Sequence, residues 1–270
     1  MSTQATYDKF TGSAAEMYER HFVPVIPAPL AADLLALTPP EPGHRVLDVA
    51  CGTGIVARLA AELVGPSGEV TGVDLAPDML AMAQSLSGAA GVPIAWREAN
   101  AEALPFDDDT FDVGYSQLGL MFVPDKAAAV GEMRRVVRAG GRVAIAVAGR
   151  IQPINEIMDE AIATHINPDL AGFVSGVFSM HDPAILDGLL NGAGFEDVDA
   201  REVVKTIHLP APADFLWQYV NATPMGGFVA QAPEEARAAL EREIVERWQP
   251  LVDGDGMTYD QPIVFATARA

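Results

Sequence analysis

Short apolar runs separated by stretches of helical period organise the middle of the chain. Arg45 to Ala50, Glu69 to Asp74, Pro93 to Glu98, Phe111 to Ser116 and Arg142 to Ala148 are rich in Val, Ile and Ala and are bounded by turn residues, so they read as strands. Between them, Ile55 to Val64, Pro77 to Leu86 and Asp125 to Arg138 have the spacing of amphipathic helices. Pro77 sits where a helix tolerates proline, in its first turn. Gly65-Pro66-Ser67-Gly68 ends one helix, and Gly140-Gly141 is expected to cap another. Strands alternating with helices predict an α/β fold, a mostly parallel sheet with helices on both faces. The strand runs are apolar throughout because both faces would be covered.

The flanks follow other patterns. The first 40 residues read as broken helix, with Pro24, Pro27 and Pro29 dividing it and Pro39-Pro40 stopping the piece from Leu30 to Leu37. After Arg150 the alternation stops. Helices are predicted over Ile154 to His165, from Asp182-Pro183 to Asn191, over Asp214 to Tyr219 and over Pro233 to Trp248. Phe195 to Leu209 and Pro262 to Ala270 read as strands, and Gly254-Asp255-Gly256 as a turn. The expected division is 1–40, 41–150 and 151–270: an N-terminal helical lid, a core, and helical inserts carrying the two final strands.

Charge narrows the partners. Seventeen basic residues stand against 37 acidic ones, for a net charge of −20 in 270 residues. Nucleic-acid binding draws on Lys and Arg against phosphates, so no nucleic-acid partner is expected, and no docking on an anionic membrane. The single cysteine, Cys51, rules out an intrachain disulfide and a cysteine-based zinc site. The N-terminus lacks a basic segment followed by an apolar one, and Val143 to Ala148 is too short to span a bilayer. A cytoplasmic location is the expectation; the oligomeric state is open.

The loop Ala50-Cys51-Gly52-Thr53-Gly54 lies between the first strand and the following helix. Glycines there let the backbone turn and approach a ligand, at the strand end where open α/β sheets bind ligands. The helix N-terminus beyond it favours negative charge. No Gly-Lys-Ser or Gly-Lys-Thr follows, so the loop is not a P-loop, and position 57 is Ala where the dinucleotide fingerprint has its third glycine. Asp74, about 20 residues on at the end of the second strand, suits a ribose diol; its alternative role is a helix cap. By itself this leaves a nicotinamide oxidoreductase open.

Further segments carry a specific resemblance. Leu47-Asp48-Val49-Ala50-Cys51-Gly52-Thr53-Gly54, then Glu69 to Asp74 with Pro77-Asp78-Met79-Leu80, then Asn100-Ala101-Glu102-Ala103-Leu104-Pro105-Phe106 with Phe111-Asp112, then Met133 to Arg142 appear in order. Together they resemble the class I S-adenosylmethionine (SAM) dependent methyltransferases, in the subgroup similar to the ubiquinone/menaquinone biosynthesis enzymes. The resemblance covers about residues 40 to 150. It implies a Rossmann-like sheet of seven strands, the last antiparallel, with helical lid inserts, and SAM as cofactor. It places Ala50, Gly52 and Gly54 at the methionine end, Asp48 orienting the amino group, and Asp74 on the ribose. Leu75 and Met79 would pack on adenine, with Ala101 offering its N–H. Ser116 and Gln117 would line the methionine and the door to the acceptor, and Tyr18 would close as a lid. The family often has Asp where this chain has Asn100; the amide carbonyl can accept the same hydrogen bond from adenine.

Methyl transfer from a sulfonium needs alignment and exclusion of water more than a base or a metal. His21, His165 and His181 are the candidates should a base be needed, while His44, His208 and Cys51 read as structural and Asp107-Asp108-Asp109 as a solvated turn. Aromatic residues after Arg150, among them Phe173, Phe178, Phe215, Trp217, Tyr219 and Phe228, mix with glycines as in a mobile cover over an apolar pocket; plain packing is the competing explanation. The expected activity is methylation of a small, partly apolar metabolite at O, N or C. A SAM-binding protein without transfer, a protein methyltransferase and a nicotinamide oxidoreductase remain as alternatives.

Overall fold

A computed structural model describes residues 12–87 and 92–270. The part of the expected 1–40 segment before Gly12 lies outside the described residues. The chain divides into two compact units. The core unit comprises Pro27–Gly149, Met180–Val203 and Ile263–Ala270; the helical unit comprises Met1–Ile26, Arg150–Ser179 and Val204–Pro262.

The core unit opens with α2 (Pro27–Leu37) and continues through β1 (Arg45–Val49), α3 (Ile55–Val64), β2 (Glu69–Asp74), α4 (Pro77–Leu86) and β3 (Ile94–Glu98). It then runs through β4 (Phe111–Gln117), α5 (Lys126–Val136) and β5 (Val137–Ala148), and α8 (Pro183–Gly192) returns to it. Two long strands, β6 (Glu196–Leu209) and β8 (Gly256–Arg269), have residues in both units. The sheet order is β3-β2-β1-β4-β5-β8-β6. The pairs among β1 to β5 are parallel, and β8 runs antiparallel to β5, with Ile145 opposite Ala266. This is the expected seven-strand path, extended by a two-residue strand, β7 (Val252–Asp253), paired to β8. Val143 to Val147 have no exposed surface, as a sheet covered by helices requires.

Two sequence expectations change. Gly140-Gly141 does not cap α5, which ends at Val136. Residues 138–141 instead interrupt the β4–β5 register between the Phe111–Val137 and Val113–Arg142 pairs, and Gly140 supplies the positive φ this excursion needs. The last strand begins at Gly256, not Pro262, because Val252–Asp253 and Gly256–Met257 pair across the Gly254 turn.

The helical unit holds α1 (Ala14–Met17), capped by Ser13 and Glu16 and running into a π turn at Tyr18–Phe22. After β5 come α6 (Pro153–His165) and α7 (Phe173–Gly176); α9 (Pro212–Asn221), α10 (Met225–Gln231) and α11 (Glu234–Arg247) follow β6. Trp217 and Trp248 are fully buried in it: Trp217 donates to the Glu241 carboxylate at 2.5 Å, and Trp248 to the Ile154 carbonyl at 3.2 Å. Among the described residues, no single helix is long and apolar enough to cross a membrane.

Candidate cofactor site

The strand order reverses between β1 and β4, and the crevice beyond their carboxyl ends is where such sheets bind ligands. Both loops leaving these strands are held in left-handed backbone: Ala50 has φ 56° and Leu118 φ 53°. Non-glycine residues adopt this region only when their surroundings force it. Here the Leu118 N–H is fixed on the Ala146 carbonyl at 2.7 Å, and a β-carbon at Gly119 would overlap that of Ala50. Gly119 and Leu118, which the sequence reading did not single out, therefore let the two loops touch.

The two glycines of the loop do different work. Gly52 (φ 54°) faces open space: apart from its two chain neighbours, nothing lies within 4 Å of where its β-carbon would stand. Gly54 (φ 83°) is needed for packing, since a β-carbon there would overlap the Trp96 indole. That ring also lies over Gly72, its register partner on β2, and is anchored by Trp96 Nε1 donating to Ser87 Oγ at 2.6 Å.

Two carboxylates support the loop. Asp74 Oδ2 accepts the Gly52 N–H at 2.7 Å and Oδ1 accepts the Ala76 N–H at 2.9 Å. Asp48 is fully buried on β1; its Oδ2 accepts the Ala57 N–H of α3 at 3.0 Å, and its Oδ1 has no partner. Burial first, and then the charge of Asp74, push Asp48 up to about 8, against the pull of the Ala57 hydrogen bond and Arg58. Burial, Asp48 and Asp74 also push the Cys51 thiol up, away from thiolate chemistry.

Past Asp74, Leu75 is 67% exposed and Met79 half-buried on the first turn of α4. The segment after β3 is tied down at several points. Asn100 Oδ1 accepts the Glu102 N–H at 3.0 Å, its Nδ2 donates to Glu102 Oε2 at 3.3 Å, and Glu102 Oε1 accepts the Asp125 N–H at 2.7 Å. An Asp at position 100 could not donate to Glu102 and would repel it, which gives Asn a local reason. Ala101 stands in this turn. Arg135 then grips the carbonyls of Leu104 and Phe106, the Glu132 carboxylate and Asp108, while Glu132 accepts the Leu104 N–H at 2.7 Å. At the end of β4, Ser116 is buried, and Gln117 donates to the Pro27 carbonyl at 2.9 Å while its Oε1 lies buried without a partner.

Asp48, Ala50, Gly52, Gly54, Asp74, Leu75, Met79, Asn100, Ala101, Ser116 and Gln117 thus all belong to the core unit, at or just beyond strand ends. Tyr18 and His21 belong to the helical unit, on the π turn, where the Tyr18 ring lies 5.4 Å from Phe22 and burial lowers the His21 imidazole. His165 ends α6 and is engaged with Glu243 at 2.7 Å; His181 lies in the core unit just before α8. The open face of Gly52, the exposed Leu75 and the unpartnered Gln117 oxygen fit the SAM expectation: a backbone cradle, an apolar ledge, and an acceptor for a cationic ligand.

Comparisons with known proteins agree. The methyltransferase domain family matches residues 47–145. The chain is 44% identical over 255 residues to an uncharacterized protein of Mycobacterium tuberculosis, covering 90% of this chain and 87% of that one. It is 36% identical over 172 residues to the ubiquinone/menaquinone biosynthesis C-methyltransferase of Cronobacter sakazakii, 58% of this chain and 68% of that one. With the nocamycin O-methyltransferase of Saccharothrix syringae it shares 28% identity over 260 residues, 89% and 90% of the two chains. Among solved structures, Haemonchus contortus phosphoethanolamine N-methyltransferase 2 in complex with SAM has the same fold, with TM-score 0.59 and 19% identity over 100% of this chain and 60% of that one.

Proposed function

From the premise that this chain belongs to the class I SAM-dependent methyltransferases, we propose that it methylates a small, partly apolar molecule. Bound SAM supplies a methyl group on a cationic sulfur, open to in-line displacement by an O, N or C nucleophile. The Asp74 carboxylate holds the loop through the Gly52 N–H and keeps lone pairs for the ribose hydroxyls. Gln117 offers an oxygen acceptor toward the methionine end, and Asp48 orients that end indirectly, by holding the start of α3 through the Ala57 N–H. Leu75 and Met79 supply an apolar ledge for adenine, and Ala101, held in the turn tied down by Asn100, Glu102 and Arg135, presents its N–H there. No general base is assigned, since alignment and exclusion of water dominate unless the acceptor arrives protonated at high pKa.

The open face at Gly52 carries the cofactor half of this reading. Two observations support a small acceptor. The net charge of −20 disfavours RNA, and two relatives are named for O-methylation of nocamycin and for C-methylation in ubiquinone/menaquinone biosynthesis. We read the helical unit as the acceptor-binding part. The test supplies methyl-labelled SAM with pooled small metabolites, bulk protein and bulk RNA. Label appearing in the small-molecule fraction supports the proposal; label confined to protein or RNA sinks it.

A further inference from the structure

The cofactor loop enters α3 through an unusual residue. Gly54 is the N-cap of that helix, yet its backbone is left-handed (φ 83°, ψ 28°). An N-cap ordinarily has extended backbone, fixed by its own side-chain oxygen. Gly54 has no such oxygen, and Asp48 takes the Ala57 N–H in its place at 3.0 Å. That bond satisfies the helix without fixing the backbone of Gly54. Within the loop, the Gly54 N–H donates to the Cys51 carbonyl at 2.8 Å, and the Arg58 guanidinium donates to the Thr53 carbonyl. The remaining side of Gly54 is filled by an indole from two strands away.

That indole is itself held on several sides. Trp96 of β3 pairs with Gly72 of β2, and Gly72 with Asp48 of β1, so the three stand in one row on one face of the sheet. A β-carbon at Gly72 would overlap the ring, so the missing side chain is what lets the indole cross β2. Its outer edge then meets Gly54, where a β-carbon would overlap it too. The nitrogen end is tied elsewhere. Trp96 Nε1 donates to Ser87 Oγ at 2.6 Å, and the same hydroxyl donates to the Ala83 carbonyl at 2.9 Å. Ser87 is the C-cap of α4, so the ring is braced between that helix end and the loop.

We infer that Trp96 is a positioning residue for the cofactor, with Ser87 as its anchor. The ring presets the left-handed turn at Gly54, so the loop meets the amino-acid part of SAM already in its bound shape. The inference rests on the methyltransferase reading. A preset loop loses little freedom on binding, and the saving appears as affinity. It falls on the amino-acid part, because the adenosine part is met by Asp74, Leu75, Met79 and Ala101, outside this turn.

The full chain and its Ser87→Ala, Ser87→Thr and Trp96→Leu variants are titrated by calorimetry with S-adenosylhomocysteine. A second titration uses 5′-methylthioadenosine, which has the adenosine but no amino acid, and unfolding midpoints are recorded alongside. Ser87→Ala should weaken S-adenosylhomocysteine about fivefold and Trp96→Leu at least about tenfold, while 5′-methylthioadenosine changes by less than about twofold. Ser87→Thr keeps an acceptor for the indole N–H and should bind both ligands as wild type does. A residue kept only for the fold would lower the unfolding midpoint and leave both affinities alone. That outcome, or an equal loss of both ligands, overturns the inference and leaves the methyltransferase reading standing. A wild-type chain that binds no S-adenosylhomocysteine overturns both.

Discussion

The Asp74 carboxylate accepts the Gly52 N–H at 2.7 Å, so the ends of the first two strands are tied together through the residue that keeps the site open. Its other oxygen takes the Ala76 N–H at 2.9 Å, ahead of α4. Capping, the alternative role on sequence alone, is not the one Asp74 takes, since Ala76 is the N-cap of α4 and no side chain caps that helix; each oxygen of Asp74 keeps a second lone pair for a ribose hydroxyl.

Asp74→Ala should therefore weaken SAM and S-adenosylhomocysteine about 10- to 100-fold, the range expected when charge-assisted hydrogen bonds of about 1.5–3 kcal/mol are removed. Calorimetric titration of both ligands checks this. An unchanged affinity would mean that the carboxylate only holds the loop.

Arg135→Lys keeps the charge but loses the fork that grips the Leu104 and Phe106 carbonyls together with Glu132. With that anchor gone, the turn at Ala101 loosens. SAM affinity should fall several-fold, and stability by about 1–2 kcal/mol, the scale of one or two such hydrogen bonds. Urea unfolding with and without SAM reads both; wild-type affinity at reduced stability would confine Arg135 to the fold.

Gly54→Ala faces two separate penalties: a left-handed backbone at φ 83° and overlap with the Trp96 ring. Together they should destabilise the chain by about 2–4 kcal/mol. Trp96→Leu in the same background should recover the overlap but not the backbone strain, so the double-mutant cycle is non-additive. Additive effects would show that the ring is not what excludes a side chain at 54.

Much of this was legible from residue patterns because it rests on local signals. Alternating apolar runs gave the parallel strands, and β1, α3, β2 and their glycines carry their information within a few residues. What escaped depends on long-range partners. Nothing near Gly54 announces that Trp96, on another strand, fills the space beside it. Arg135 reads as one basic residue of several, and its role exists only because the loop before β4 returns to α5. Gly140-Gly141 looked like a cap because helix ends and strand irregularities use the same residue for the same positive φ. The grouping of Pro27–Leu37 with the core rather than with the residues before it is likewise a matter of packing, on which a broken helical pattern is silent.

Asp48 gives stability a pH dependence whose sign can be worked out. Burial first, with Asp74 adding to it, raises its folded-state pKa to about 8, while the unfolded chain has an ordinary carboxylate. Between those two values the folded chain holds a proton that the unfolded chain has released. The contribution is therefore fully present below about pH 4 and is lost as pH rises toward 8, with a slope of at most about 1.4 kcal/mol per pH unit. Asp48→Asn keeps an oxygen for the Ala57 N–H and has no proton to lose, so it should lack this slope. Every other titrating group is common to both proteins. The difference in unfolding free energy, wild type minus Asp48→Asn, should thus fall steadily between pH 5 and pH 8. Urea unfolding at several pH values measures it, and parallel profiles would mean that the buried carboxyl titrates alike in the folded and unfolded chains.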